Sequence, residues 1–172
     1  FGLTKAMMIK ETIGANITVI SVGEENIEPV IRKSLAIGAD NAIRISKKPT
    51  DSYSVAIEIA HYLKENPADL IIAGRESIDY NGGAVPGMIA EILGFPFINA
   101  CIGLNLFEEK VSLVREVSGG KETIATKLPL VIGGQKGLVE ESELRIPNMR
   151  GIMQARSKPL KVIEATNNDK LS

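Results

Sequence analysis

The densest set of chemically capable side chains lies in residues 75–83, RESIDYNGG. Glu76 and Asp79 are acids, Ser77 and Tyr80 bring hydroxyls, Asn81 brings an amide, and Gly82 and Gly83 are adjacent glycines. Paired glycines let backbone N–H groups converge on an anion, and a helix start behind them adds its own orphan donors. Acid–base work by Glu76 and Asp79 would need a companion base, and the loop holds neither histidine nor lysine. A turn-stabilising role for Asp79 is simpler. An anion cradle and a plain capped connection both remain open from these residues alone.

The flanking residues show what must position this loop. Residues 70–73, LIIA, read as a short buried strand ended by Gly74. A helical pattern opens near Pro86, repeats through Met88, Ile89, Ile92 and Leu93, and stops at Gly94 before Pro96. Open α/β sheets bind ligands at such strand–loop–helix turns, outside the carboxyl ends of their strands.

Upstream, Leu3, Ala6, Met7 and Ile9 predict a first helix ending at Gly14. Residues 17–22, ITVISV, read as a central parallel strand because their apolar run is nearly continuous. Glu24, Glu25 and Asn26 open a second helix with an Ile27, Ile31, Leu35 stripe ending at Gly38. Residues 39–45 form a strand, and Asp51 or Ser52 caps a third helix with Val55, Ile59 and Leu63 inward. The strand at Leu70 is read as central too. This alternation predicts a layered α/β domain.

Beyond Gly94 the period changes. A turn at 107–109 separates residues 97–105 from 110–117, the partly period-two alternation over 110–126 reads as antiparallel ribbons, and 129–133 rejoin a buried sheet, giving a mixed sheet with antiparallel additions. Residues 137–165 carry weak periodicity, and Asn148, Met149, Arg150 and Gly151 resemble a turn. Between 145 and 161, Arg145, Arg150, Arg156, Lys158 and Lys161 occur without an acid, interleaved with Ile146, Met149, Ile152 and Met153. That mixture fits a solvated flank or a partner surface with apolar anchors.

Several function classes are excluded or left without support. A net charge of -1 gives no case for nucleic acid, and the single Cys101 allows neither a disulfide framework nor a cysteine metal cluster. Cys101 reads as a buried small hydrophobe, and the single His61 as structural or solvent-facing. No run is long and apolar enough to cross a bilayer. Glu140, Glu141 and Glu143 read as a solvated run. No metal site and no catalytic residue is expected. Because the chain opens on a helical pattern without methionine and ends on a polar tail, an internal piece of a longer protein is expected.

Three separated segments resemble the beta subunit of the electron transfer flavoproteins of bacterial type. They are residues 33–40, KSLAIGAD; residues 74–79, GRESID, with the glycine loop; and VREVSGGKE at 114–122 with Leu128, Pro129 and PNMRGIM at 147–153. The resemblance implies a three-layer Rossmann-like domain of the adenine nucleotide alpha hydrolase-like kind over residues 1–163. A polar tail would follow at 164–172, and a first strand would precede Phe1.

The resemblance also implies a cytoplasmic electron carrier, not an enzyme. It would pair with an alpha subunit and pass electrons from acyl-CoA or other flavin dehydrogenases through FAD shared with that subunit. It would hold AMP as a structural ligand, or a second FAD. By similarity, nucleotide contacts fall on Val22, Gly23, Gly74, Asp79, Asn81, Gly82, Gly83, Ala84 and Val85. Partner contacts fall on Met149, Arg150, Ile152, Met153, Arg156 and Lys158. Gly83, Ala84 and Val85 stand where relatives carry an amide and hydroxyl pair, so contacts here would rest on backbone N–H groups and Asn81. Ser118 stands where an acid is usual. The rival readings are a universal-stress-type nucleotide-binding domain, for which residues 133–137, GGQKG, are a weak substitute for a phosphate loop, and a non-catalytic interaction module.

Overall fold

A computed structural model describes residues 2–48, 51–73, 84–107, 110–134 and 146–165. It contains five α-helices, α1 (Gly2–Ile13), α2 (Glu28–Ile37), α3 (Ser52–Glu65), α4 (Ala84–Leu93) and α5 (Met149–Ala155). Its strands are β1 (Thr18–Gly23), β2 (Asn41–Ser46), β3 (Leu70–Ala73), β4 (Phe97–Phe107), β5 (Lys110–Val117), β6 (Gly120–Lys127), β7 (Leu130–Gly134) and β8 (Leu160–Glu164).

The strands make two sheets. One is parallel, in the order β1-β2-β8; the other is mixed, in the order β3-β7-β4-β5-β6. β3, β7 and β4 run parallel, and β5 and β6 add an antiparallel ribbon. The expected alternation and ribbon are therefore present in an α/β fold with mixed pairing. Two expectations need correcting. ITVISV and the strand at Leu70 were both read as central, yet among the described residues β1 pairs only with β2 and β3 only with β7. Their side chains pack against helices on both faces. The true central strand of the parallel sheet is β2, buried continuously over Ala42, Ile43, Arg44 and Ile45.

Alternating side chains of β1 and β3 divide between two helical layers. Val19 joins a cluster with Ile31 and Leu35 of α2 and Ala155 of α5, whereas Ile20 and Val22 join Val55 and Ala60 of α3 and Ile89 of α4. Ile71 of β3 belongs to that same α3–α4 cluster, while Leu70 and Ile72 face the core of the mixed sheet. α1 spans both cores, with Leu3, Ala6 and Met7 in one and Met8 and Ile9 in the other.

Local chemistry explains the helix ends. Asp51 caps α3 by accepting from the Ser54 N–H at 2.7 Å. Gly38 has φ 144, a conformation that favours glycine, and the Met7 side chain fills the space where a Cβ would lie. Next to it, Ala39 is fully buried, and the Asp40 carboxylate accepts from Lys10 Nζ and, at 2.8 Å, from the Ile17 N–H. Asp40 thus ties the end of α1 to the approach into β1. Burial alone would raise its pKa, but the hydrogen bonds from Lys10 and Ile17, with the charges of Lys10 and Lys158, hold it below the ordinary 3.8.

The final stretch is a second correction. Asn148 is not part of a turn but the N-cap of α5, accepting from the Gly151 N–H at 2.7 Å, and β8 follows unforeseen.

Two outcomes follow for stability. Ile89→Ala should cost about 2–5 kcal/mol, because Ile89 is 2 % exposed in the α3–α4 cluster, while Val30→Ala, at 68 % exposure, should stay within about 0.5 kcal/mol in denaturant titration. Because Asp40 titrates lower when folded, its contribution is complete above the unfolded pKa and is lost as pH falls through the folded one. Asp40→Asn should therefore be destabilising at pH 7, with the difference from the parent chain closing below about pH 4; a gap that persists at acid pH would contradict this.

Candidate functional site

The carboxyl ends of β1 and β2 lie side by side, with Gly23 in register with Ser46. A short 3-10 turn, Glu25–Ile27, carries the chain from β1 into α2, where a continuous helix from Glu24 was expected. Ile27 folds back over Gly23 so closely that a Cβ there would lie 2.5 Å from its Cδ1. Gly23 is therefore required by close approach, since its φ is unexceptional. Pro29 near the start of α2 stops the turn from extending the helix backwards without loss of a hydrogen bond.

Arg44 closes this corner from beneath. It is 4 % exposed, its Nη1 donates to the Gly23 carbonyl at 3.0 Å, and its Nε lies 3.3 Å from Glu28 Oε1. A buried guanidinium is retained only where its donors are matched. Here they hold the last residue of β1 to the first residue of α2. Above it opens a concavity of about 380 Å³ lined by Glu24, Glu25, Asn26, Arg44 and Ser46. Its amide, hydroxyl, carboxylates and guanidinium can hydrogen-bond a polar ligand. It contains no nucleophile with an adjacent base. Next to it, Lys47 pairs at 3.6 Å with Glu58 of α3, which is 2 % exposed.

Val22 and Val85 belong to one apolar cluster under α3 and α4, although sixty-odd residues separate them in the chain. Val85 is 5 % exposed, so its side chain serves the core and only its backbone is left for a ligand. The first turn of a helix leaves N–H groups without intrahelical partners; α4 begins at Ala84, and Pro86 has no N–H to offer. Gly74, Asp79, Asn81, Gly82 and Gly83 lie outside the described residues, as do Glu76 and most of the GGQKG stretch.

The second candidate surface is built by α2 and α5. Arg32 Nη1 donates to the carbonyls of Ala155 at 2.9 Å and Lys158 at 3.0 Å, and Lys158 Nζ donates to the Leu35 carbonyl at 2.8 Å. Each helix therefore has its carboxyl end neutralised by a cation from the other's segment. At Gly151 the backbones touch, since a Cβ would sit 2.2 Å from the Ala36 carbonyl oxygen. Met149 (76 %), Met153 (66 %) and Ile152 (44 %) are exposed on this platform, with Arg150 and Arg156 beside them. Lys158 differs from these, as its ammonium is engaged within the fold. Ile146, at 81 % the most exposed large apolar residue described, is among the interleaved apolar residues of the sequence but outside the partner contacts that the resemblance implies.

His61 is half exposed, 3.8 Å from Glu65 one turn on. Cys101 is fully buried, with Sγ 3.2 Å from the Gly103 carbonyl, and burial raises its pKa above 9.0. No group of three or more metal-ligating side chains and no helix long and apolar enough to cross a membrane occurs among the described residues. Arg44 and Glu58 are the buried charges that sequence reading passed over; the usable signal was a lone arginine inside the apolar run of residues 42–45, AIRI.

The electron transfer flavoprotein domain model matches residues 2–168. Among curated relatives, the electron transfer flavoprotein subunit beta of Bacillus subtilis (strain 168) is 35 % identical over 173 residues, covering 98 % of this chain and 66 % of that protein. The subunit beta of Syntrophomonas wolfei is 33 % identical over 157 residues, covering 90 % of this chain and 61 % of its own. A probable subunit beta of Schizosaccharomyces pombe is 29 % identical over 164 residues, covering 91 % and 62 %. The chain thus spans less than two thirds of the length of each of these three relatives.

For the corner itself, Arg44→Met should lower stability by about 1–3 kcal/mol by leaving the Gly23 carbonyl without its donor. A double-mutant cycle with Glu28→Gln should be non-additive by at least about 0.5 kcal/mol. Additive values would mean that Arg44 and Glu28 do not interact.

Proposed function

Because the chain belongs to the electron transfer flavoprotein domain family, we propose that it is the core of a beta subunit. In this reading it is an electron-carrier partner and not a catalyst. It pairs with an alpha subunit, accepts electrons from acyl-CoA or other flavin dehydrogenases by way of FAD, and works in the cytoplasm. The relatives named above carry that subunit's name across nearly the whole of this chain, which supports the pairing.

The observation that carries the nucleotide part of the proposal is the cluster shared by Val22 and Val85. It brings the exit of β1 close to the start of α4, the two described ends of the candidate site. An adenine nucleotide fits the donors available there. Backbone N–H groups of Gly82, Gly83, Ala84 and Val85 would hold its phosphate at the helix start, Asp79 and Asn81 would bind its polar edges, Gly74 would allow close backbone approach, and Gly23, whose side-chain space Ile27 fills, would offer its backbone alone. AMP is the favoured occupant, filling the cleft and tying loops together; a second FAD is the rival occupant. The flavin supplies the electron chemistry when bound, and the protein supplies its position and surroundings.

The finer fold is part of the same reading: an adenine nucleotide alpha hydrolase-like domain of residues 1–163. We place the additional strand implied by the resemblance along the edges of β1 and β3 that carry no ladder among the described residues. Met149, Arg150, Ile152, Met153, Arg156 and Lys158 form the dehydrogenase-facing segment, five of them on its surface and Lys158 holding it to α2.

The test is to purify the full-length protein with its alpha subunit and identify the released small molecules by mass spectrometry alongside a visible spectrum. One flavin and one AMP per heterodimer is the expected composition. Two flavins would replace AMP by a second FAD, and a stable complex with no nucleotide would overturn the cleft assignment.

A further inference from the structure

Between α2 and α5 runs a groove of about 370 Å³ that the nucleotide reading leaves unused. Pro29, Ala36 and Ile152 give it an apolar floor, Arg32, Lys33 and Arg156 stand around it, and no carboxylate lines it among the described residues. Its walls are held in place by the Arg32 and Lys158 caps and by the Gly151–Ala36 backbone contact. Four of the seven large apolar side chains exposed among the described residues (Ile146, Met149, Ile152 and Met153) are on α5 or just before it. That concentration on one platform marks an interaction surface.

Charge decides what kind of partner fits. The chain as a whole carries only -1, so three cations around one apolar groove are a local arrangement. Among the described residues Arg32 is hydrogen-bonded to the Ala155 and Lys158 carbonyls and to no acid. A second copy meeting this face across a two-fold axis would set Arg150 and Arg156 against their own counterparts, which opposes self-association. We propose that the groove receives an apolar side chain of a partner protein presented between aspartates or glutamates. This rests on the reading of α5 as partner-facing and extends the surface to Pro29, Arg32 and Lys33 of α2, so that the protein both projects anchors and accepts one.

The probe is a fluorescein-labelled peptide with one phenylalanine between aspartates, tested on the full-length protein in complex with its alpha subunit. Controls carry alanine in place of phenylalanine, or lysines in place of aspartates. Only the first peptide should bind, with affinity falling about tenfold or more in Lys33→Glu or Arg156→Glu and again at high salt. Lys33→Gln and Arg156→Gln, which disturb packing less, should give intermediate losses at an unchanged thermal midpoint. Equal binding of either control peptide, indifference to these substitutions, or a concentration-dependent dimer that the same substitutions abolish would each overturn the groove. Electron transfer from a dehydrogenase separates the two readings. If Met149→Ala with Met153→Ala lowers it while the groove variants do not, the groove alone is wrong; if the peptide binds as expected but no dehydrogenase reduces the complex, the groove stands and the carrier reading falls.

Discussion

What holds the molecule together is side-chain packing across a seam where no hydrogen-bond ladder exists among the described residues. The parallel sheet ends at β1 and the mixed sheet at β3. They are joined by α3 and α4, which bury Ile20 and Val22 from one and Ile71 from the other in a single cluster, and by α1, which sends residues into both remaining cores. Apolar burial is non-directional and scales with area, so it can bridge such a seam without fixing register. The described ends of the candidate cleft, Gly23 and Ala84, neighbour Val22 and Val85 of the α3–α4 cluster. Ligand positions in α/β domains concentrate where strands diverge.

The KSLAIGAD stretch shows how a recognisable run of residues can be structural in cause. Leu35 and Ala39 are fully buried, Gly38 adopts a backbone that a side chain would strain, and Asp40 anchors α1 and the entry to β1. Their role is to set the height of α1 and α2 over β1 and β2, which in turn sets where Gly23 ends. The Arg44 bond to the Gly23 carbonyl then fixes that end. Buried charges are weak evidence for stability, and their best-attested use is to specify one arrangement among several.

Sequence revealed the elements whose signals are local. Helices closed by glycine at Gly14, Gly38 and Gly94, the Asp51 cap and the ribbon of β5 and β6 were all legible, because each is dictated by backbone preference or period. Pairing was not. ITVISV and LIIA look central because helices cover them on both faces, and an apolar run cannot say whether its edges are paired. α5 escaped because it has seven residues with Gly151 within, and its formation depends on the Asn148 cap and on docking to α2. For the candidate site, Val22, Gly23, Ala84 and Val85 were named from a family likeness, whereas Arg44 was missed because its importance lies in a contact with a residue on another strand.

The α2–α5 platform and the cleft are linked through α2. Its first residue, Glu28, answers Arg44 at the corner of β1, and its last turn gives the Leu35 carbonyl to Lys158. α2 therefore borders both places, since Glu28 meets Arg44 while Pro29, Arg32, Lys33 and Ala36 line the groove. A rigid helix with both ends fixed transmits displacement along its axis and resists bending. Occupancy of the corner and occupancy of the groove would then act on one element. Coupling between two sites requires such a shared element whose position both can bias. In this fold α2 is the element that touches both places, tied at Glu28, Arg32 and Leu35.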